Sequence, residues 1–145
     1  MNEIFVIIDA NFILLPFQFK IHYLEEIEQK LQRKVKFVVF KQVIDELEAK
    51  AKREQNSSKF LLLLNSSLSY LDKYKEMFSI LQDPSIKAHN ETSDDFLLRK
   101  CEELKNEALL VYLATNDKEL KKKAKQFKIN IIFVRQKKII SVERV

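Results

Sequence analysis

The apolar positions along the chain alternate between two periods. Glu3 to Ile8 is a short, nearly continuous apolar run rich in β-branched residues, which predicts a strand covered on both faces, and it stops abruptly at Asp9. Pro16 interrupts the next segment. From Phe19 to Arg33 the residues Ile21, Leu24, Ile27 and Leu31 recur at helical spacing, which predicts an amphipathic helix. Val35 to Phe40 reads as a second buried strand, and Val43, Ile44, Leu47 and Ala51 then mark one face of a helix running to Arg53. Asn56-Ser57-Ser58 predicts a break and an N-cap, followed by a helix from Lys59 to Tyr74 with Leu61, Leu64, Leu68 and Leu71 in register.

The second half repeats the alternation. Met77 to Leu81 is a weaker strand candidate, and Gln82 to Ser93, with Pro84 and a polar cluster, reads as a long loop. Thr92 or Ser93 caps a helix from Asp94 to Glu107 that carries Phe96, Leu97, Cys101 and Leu104 inward. Leu109 to Ala114 is a third buried strand, Asn116-Asp117 a turn, Lys118 to Phe127 a short basic helix, Asn130 to Val134 a fourth strand and Ile139 to Val142 a candidate fifth. Parallel neighbours need crossover connections, so strands alternating with helices predict an α/β class: a mainly parallel sheet of four to five strands with helices on both faces. No repeat or linker divides residues 1–145, which predicts a single domain.

Composition narrows the function classes. No apolar run approaches the roughly 20 residues of a membrane span, and Glu3 precedes the first apolar run where a signal peptide would carry basic residues; a cytoplasmic protein with no membrane partner is expected. The single cysteine, Cys101, allows neither an intrachain disulfide nor a cysteine-based zinc site. The chain has no glycine, which excludes the phosphate loops that need glycine for close backbone approach. The net charge of +5 is concentrated at the C-terminus: residues 118–145 hold ten Lys or Arg against two Glu, leaving 16 basic and 19 acidic residues before them. A cationic region on a near-neutral body suits a polyanionic partner, although a lysine-rich helix is commonly just a solvated face.

Candidate chemistry lies in the acids. Asp9 follows the first strand and Asp117 the third, so both leave the carboxyl edge of the sheet, where open parallel sheets carry their binding crevice. Glu46 lies in the first turns of the helix after the second strand, and Asp94 and Asp95 open the helix before the third. Each acid alone is explained by helix capping or turn formation. Together they would repel one another, a cost that a divalent cation removes. With histidine only at His22 and His89, oxygen-only ligation points to Mg²⁺ or Mn²⁺. Such a centre activates water and neutralises charge on phosphate, the two requirements of phosphodiester hydrolysis. The basic C-terminal region would attract the rest of a nucleic acid.

The surroundings of these acids resemble a known family. Ile8-Asp9-Ala10-Asn11-Phe12-Ile13-Leu14 with Pro16-Phe17-Gln18-Phe19 resembles the opening motif of PIN domains, in the branch of the small-subunit-processome endonuclease and its archaeal relatives. Val43-Ile44-Asp45-Glu46-Leu47, Ser93-Asp94-Asp95 and Ala114-Thr115-Asn116-Asp117-Lys118-Glu119-Leu120 are similar to the second, third and fourth motifs, and Val134-Arg135-Gln136-Lys137-Lys138 resembles the branch's ending. Ala10 replaces a common Thr or Ser, and Ser93 a common Ala.

The resemblance implies a three-layer α/β/α sandwich and Mg²⁺- or Mn²⁺-dependent cleavage of single-stranded RNA, in the setting of ribosomal RNA processing on precursor RNA or ribosomal particles. It implies Asp9, Glu46, Asp94 and Asp117 as catalytic metal ligands, Asp95 as an alternate or supporting ligand, and Asn11, Thr115 and Asn116 as residues that orient ligands or water. Lys118, Lys121, Lys122, Lys125, Arg135, Lys137 and Lys138 are the candidate RNA-binding residues. Phe17, Phe19 and Tyr23 are expected in the core or at a homodimer contact ahead of stacking on bases. Two alternatives remain open at this point: a toxin ribonuclease of a toxin–antitoxin pair, and a catalytically silent RNA-binding assembly factor.

Overall fold

A computed structural model of the chain describes residues 3–53, 58–108 and 110–145. Six strands form one sheet: β1 (Ile4–Ile8), β2 (Lys36–Phe40), β3 (Ile80–Asp83), β4 (Leu110–Ala114), β5 (Asn130–Arg135) and β6 (Ile139–Glu143). The helices are α1 (Ala10–Ile13), α2 (Leu15–Gln18), α3 (Tyr23–Leu31), α4 (Lys41–Arg53), α5 (Ser58–Tyr74), α6 (Ser93–Lys105) and α7 (Lys118–Gln126). The sheet order is β3-β2-β1-β4-β5-β6. All pairings are parallel except the closing hairpin of β5 and β6, and helices flank the sheet to give the α/β sandwich.

The central strand explains the layering. All five residues of β1 are buried, so apolar side chains leave both faces and both must be covered. Phe12, Ile13, Tyr23, Leu24, Ile27, Phe37, Phe96, Cys101, Leu113, Ile131 and Ile132 belong to the same buried cluster. α6 packs on β1 and β4, and α7 on β5 and α6. Burial holds the Cys101 thiol in its neutral form by pushing its pKa up. No helix among the described residues is long and apolar enough to cross a membrane.

Several elements differ from the sequence reading. The sheet has six strands where four to five were expected, because the weak candidate at Met77–Leu81 is a strand displaced toward Ile80–Asp83 that pairs with β2 at the sheet edge. Residues following Asp9 form two four-residue helices, with Pro16 in the first turn of α2, where its missing N–H is not needed. The next helix starts at Tyr23 rather than Phe19, since Lys20 takes a left-handed backbone with φ 57°. Helix α6 ends at Lys105 rather than Glu107. Leu61, placed in the inward stripe of α5, is exposed, whereas Leu64 and Leu71 are buried. The proposed break at Asn56-Ser57 and the strand start at Leu109 lie outside the described residues. Tyr23 is in the core and Phe19 packs partly against it, while Phe17 is exposed on α2.

A chain without glycine must fill left-handed positions with other residues. Lys20, Gln32, Ser79, Lys128, Gln136 and Lys137 all have positive φ between 52° and 60°. Gln136 and Lys137 are the consecutive turn residues joining β5 to β6, where type I′ geometry demands positive φ at both. Gln32 terminates α3 as its C-cap, donating its N–H to the carbonyls of Glu28 and Gln29, a role in which glycine avoids the Cβ clash. Gln32→Gly is therefore expected to stabilise the fold by about 1 kcal/mol, raising Tm by about 3 °C. A thermal melt showing an unchanged or lower midpoint would contradict this account of the cap.

Candidate active site

The chain path places the acids. From β1 the strands proceed outward through β2 to β3, and β4 then returns to the opposite side of β1. The reversal lies between β1 and β4, and the crevice at the carboxyl ends of strands flanking such a reversal is the natural binding site of an open α/β sheet. Ile8 and Ala114 are register partners there, and the Asp9 N–H extends the ladder by donating to the Ala114 carbonyl at 3.0 Å. Asp9 and Thr115 thus emerge side by side, although 106 residues separate them in sequence.

Thr115 is fully buried and its hydroxyl joins the two strand-end acids. It donates to Asp9 Oδ2 at 2.7 Å and accepts the Asp117 N–H at 3.0 Å. Asp9 also accepts the Ala10 N–H through Oδ1 at 2.7 Å as N-cap of α1. Asp117 caps α7 by accepting the Leu120 N–H at 2.9 Å. Asp94 lies in the first turn of α6 beyond its N-cap, Thr92. Three acids therefore converge on helix N-termini, where backbone N–H groups and the helix dipole favour negative charge.

Burial and mutual repulsion nevertheless resist ionisation. Desolvation raises the pKa of Asp9, the hydrogen bonds from Thr115 and Ala10 oppose the rise, and the charges of Asp117 and Asp94 add to it. The Asp94 pKa is raised by burial first and by Asp117 next, against a lowering by Lys123, with smaller contributions from Asp95 and Glu46. The ammonium of Lys123 lies 3.8 Å from Asp94 Oδ2. Asp95 is exposed beside Asp94. Glu46, on α4, accepts from Gln42 Nε2 at 2.9 Å and from the Ser93 hydroxyl, both through Oε2. Among the described residues no three acidic, histidine or cysteine side chains stand ready-arranged as a metal site. The acids share an edge without forming a closed cage, and they lie apart from the cavities of about 420 and 490 Å³ that flank β3.

The remaining expected site residues divide by what they touch. Asn116 turns away from the acids: its amide donates to the Val134 carbonyl at 3.0 Å and accepts the Val134 N–H at 2.8 Å, which locks the 115–117 turn to β5. Asn11 is exposed on α1. Because β5 runs parallel to β1 and β4, Arg135 and the following hairpin emerge at the acidic edge. Arg135 donates to Ser141 Oγ at 2.9 Å, and Lys137 lies 5.6 Å over the Phe19 ring. Lys121 covers the Phe133 ring at 4.5 Å, and Lys125 pairs with Glu143 at 2.6 Å. Lys118, Lys122 and Lys138 are exposed. Gln42 and Lys123 were not singled out from sequence. The i, i+4 spacing of Gln42 to Glu46 is a signal for the first, whereas Lys123 meets Asp94 only across two helices.

Comparisons with known proteins identify the family. The family described as PIN like domain matches residues 6–137. Ribonuclease VapC4 of Methanocaldococcus jannaschii is 32% identical over 137 residues, covering 94% of this chain and 95% of that protein. The solved structure of the PIN domain endonuclease Utp24 superposes with a TM-score of 0.68 at 26% identity, covering 97% of this chain and 92% of the other. A domain of a functionally unknown protein from Methanocaldococcus jannaschii shares the fold, with a TM-score of 0.64 at 16% identity over 97% of this chain and 95% of that one. With a family match spanning nearly the whole chain and a full-length relative at 32% identity, the chain belongs to the PIN-like domain family of nucleases.

Proposed function

We propose that the chain is a metal-dependent endoribonuclease that hydrolyses phosphodiester bonds in single-stranded RNA, and that its setting is ribosomal RNA maturation. The observation that carries this reading is the shared edge at which Asp9 and Asp94, both with pKa values raised, lie within reach of the charge of Asp117. Capping accounts for the acids singly, whereas their mutual repulsion as a set is relieved by a positive charge placed among them. The donors are all oxygens, which suits a hard divalent cation, Mg²⁺ or Mn²⁺. Asp9, Glu46, Asp94 and Asp117 would hold it, with Asp95 as an alternate ligand. A cation held there supplies charge neutralisation at the phosphate and a more acidic water.

The chain's own groups do the rest. Thr115 holds the Asp9 carboxylate in one orientation and ties it to the Asp117 backbone. Asn11, exposed two residues beyond Asp9, is in position to orient a water or a phosphate oxygen. Lys118 and Lys122 on α7, with Arg135, Lys137 and Lys138 on the hairpin, form the electrostatic track for the RNA backbone. Lys121 and Lys125 contribute less, because each already faces a ring or a carboxylate.

Within the same chemistry a toxin role is the second reading, favoured by the higher identity to a protein named Ribonuclease VapC4 than to Utp24. Cleavage of precursor ribosomal RNA at discrete, mappable ends supports the maturation role; growth arrest on expression, relieved by a neighbouring small protein, supports the toxin.

Asp9→Asn and Asp117→Asn are each expected to lower Mn²⁺-dependent cleavage of unpaired RNA on the order of a thousandfold, the scale of losing several kcal/mol of charge stabilisation. Cleavage persisting in both purified variants would refute the assignment, and RNA binding without product at any Mn²⁺ concentration would favour an assembly factor.

Asp9 also carries a stability signature. Its folded pKa is raised, so the ionised form destabilises the fold above that pKa, and the penalty disappears as pH falls below the unfolded value. Asp9→Asn should therefore melt higher than wild type near neutral pH without metal, with the gain shrinking as pH falls through the carboxylate range. A gain independent of pH would refute burial of the charge as its source.

For the RNA track, Lys122→Glu should weaken RNA affinity and reduce the slope of log affinity against log salt by about 1, with a smaller effect for Lys125→Glu. Equal, negligible effects at both would return α7 to the role of a solvated face.

A further inference from the structure

We propose that Gln42, assisted by Ser93, is a positioning residue that sets the orientation of the Glu46 carboxylate for the divalent cation. The inference rests on the endoribonuclease reading above and concerns two residues which that reading does not use.

Gln42 lies one turn before Glu46 on the same face of α4. It is a buried polar side chain, 9% exposed, and both ends of its amide are engaged. Its Oε1 accepts the Lys87 N–H at 2.9 Å, and its Nε2 donates to Glu46 Oε2 at 2.9 Å. A backbone N–H can only donate, so the Lys87 contact dictates which end of the amide carries oxygen and turns the NH₂ group toward Glu46. The assignment follows from the network itself. The Ser93 hydroxyl donates to the same carboxylate oxygen. Glu46 is thereby gripped from its own helix and from the first turn of α6, the turn that also carries Asp94 and Asp95.

The segment that orients Gln42 is itself fastened. Asp83 Oδ1 accepts the Ser85 N–H at 2.8 Å, Glu91 Oε1 accepts the Ala88 N–H at 3.0 Å, and Glu91 forms a two-pronged pair with Arg99 at 2.8 and 2.9 Å. The Arg99 contact holds the Glu91 carboxyl down to about 2. Among the described residues, both hydrogen bonds to the Glu46 side chain fall on Oε2. Charge-assisted donors therefore occupy one oxygen, and Oε1 would be the one left to a cation. This is the relation of a supporting residue to a ligand, which governs metal affinity as well as geometry.

The test is Mn²⁺ binding by the RNA-free full chain, read from the electron paramagnetic resonance signal of free Mn²⁺, beside cleavage as a function of Mn²⁺. Gln42→Leu removes both amide contacts and is expected to weaken Mn²⁺ binding by about tenfold or more; Ser93→Ala removes one donor and should weaken it by less. In cleavage, Gln42→Leu should need more Mn²⁺ for half-saturation yet approach the wild-type maximum rate at high Mn²⁺, whereas simple loss of folded protein would lower the maximum alone. In a Glu46→Gln background, adding Gln42→Leu should bring no further loss of Mn²⁺ affinity, as expected of a residue acting through Glu46. If Gln42→Leu does not fold, Ser93→Ala and Gln42→Met carry the same test. Unchanged Mn²⁺ affinity in the folded variants, or an equal loss with and without Glu46, overturns the inference alone. A wild-type chain that neither binds Mn²⁺ nor cuts RNA overturns the underlying reading and this inference with it.

Discussion

Carboxylates that leave neighbouring parallel strands at the same edge repel one another, and much of the local structure accommodates that repulsion. Asp9 follows β1, Asp117 follows β4 by way of Thr115, and the register of the two strands puts them side by side. The accommodation is made by oriented donors. Asp9 and Asp117 each cap a helix, Asp94 sits in the first turn of another, and one buried hydroxyl joins Asp9 to the Asp117 backbone. Even so, burial first and the neighbouring acids after it keep the pKa values of Asp9 and Asp94 raised. Lys123 beside Asp94 supplies the one described cationic contact to it.

The chain belongs to the PIN-like domain family. The match covers residues 6–137, and the chain is similar along nearly its whole length to a ribonuclease and to a PIN domain endonuclease. The edge is reinforced by side-chain amides. Asn116 binds the turn carrying Asp117 to β5 through both ends of its amide. Gln42 binds α4 to the segment preceding α6 through its amide oxygen and reaches Glu46 on its own helix through its NH₂ group. Two amides, one buried at Gln42 and one exposed at Asn116, each satisfied at both ends, thus fasten acid-bearing segments without using glycine or a disulfide.

The absence of glycine has its own structural consequence. Left-handed backbone is still needed at the end of α3, before β3, after α7 and in the β5–β6 hairpin, and lysine, glutamine or serine supplies it. Each such residue carries a steric cost that glycine would avoid. The hairpin places one of them, Lys137, over Phe19, so the turn that adopts this conformation also presents a cation at the acidic edge.

The alternation of strands and helices, the burial of β1, a cap at Thr92 or Ser93 and the order of the acids were legible in the sequence, because each depends on local spacing or on a short motif. So was the expectation that Asp9 and Asp117 share an edge, since both follow strands of a parallel sheet. The two short helices around Pro16, the late start of α3 and the position of β3 were not, because left-handed turns at non-glycine residues and a half-exposed edge strand leave little hydrophobic period to read. The partners of the charged and polar side chains were also hidden: Lys125 with Glu143, Lys123 with Asp94, Ser93 and Gln42 with Glu46, Asn116 with Val134. The sequence by itself determined which elements form and which residues stand at their ends, since periodicity and capping are local properties of the chain. Only the tertiary structure decided which of those residues touch, because hydrogen bonds and ion pairs between segments many residues apart depend on strand order and register.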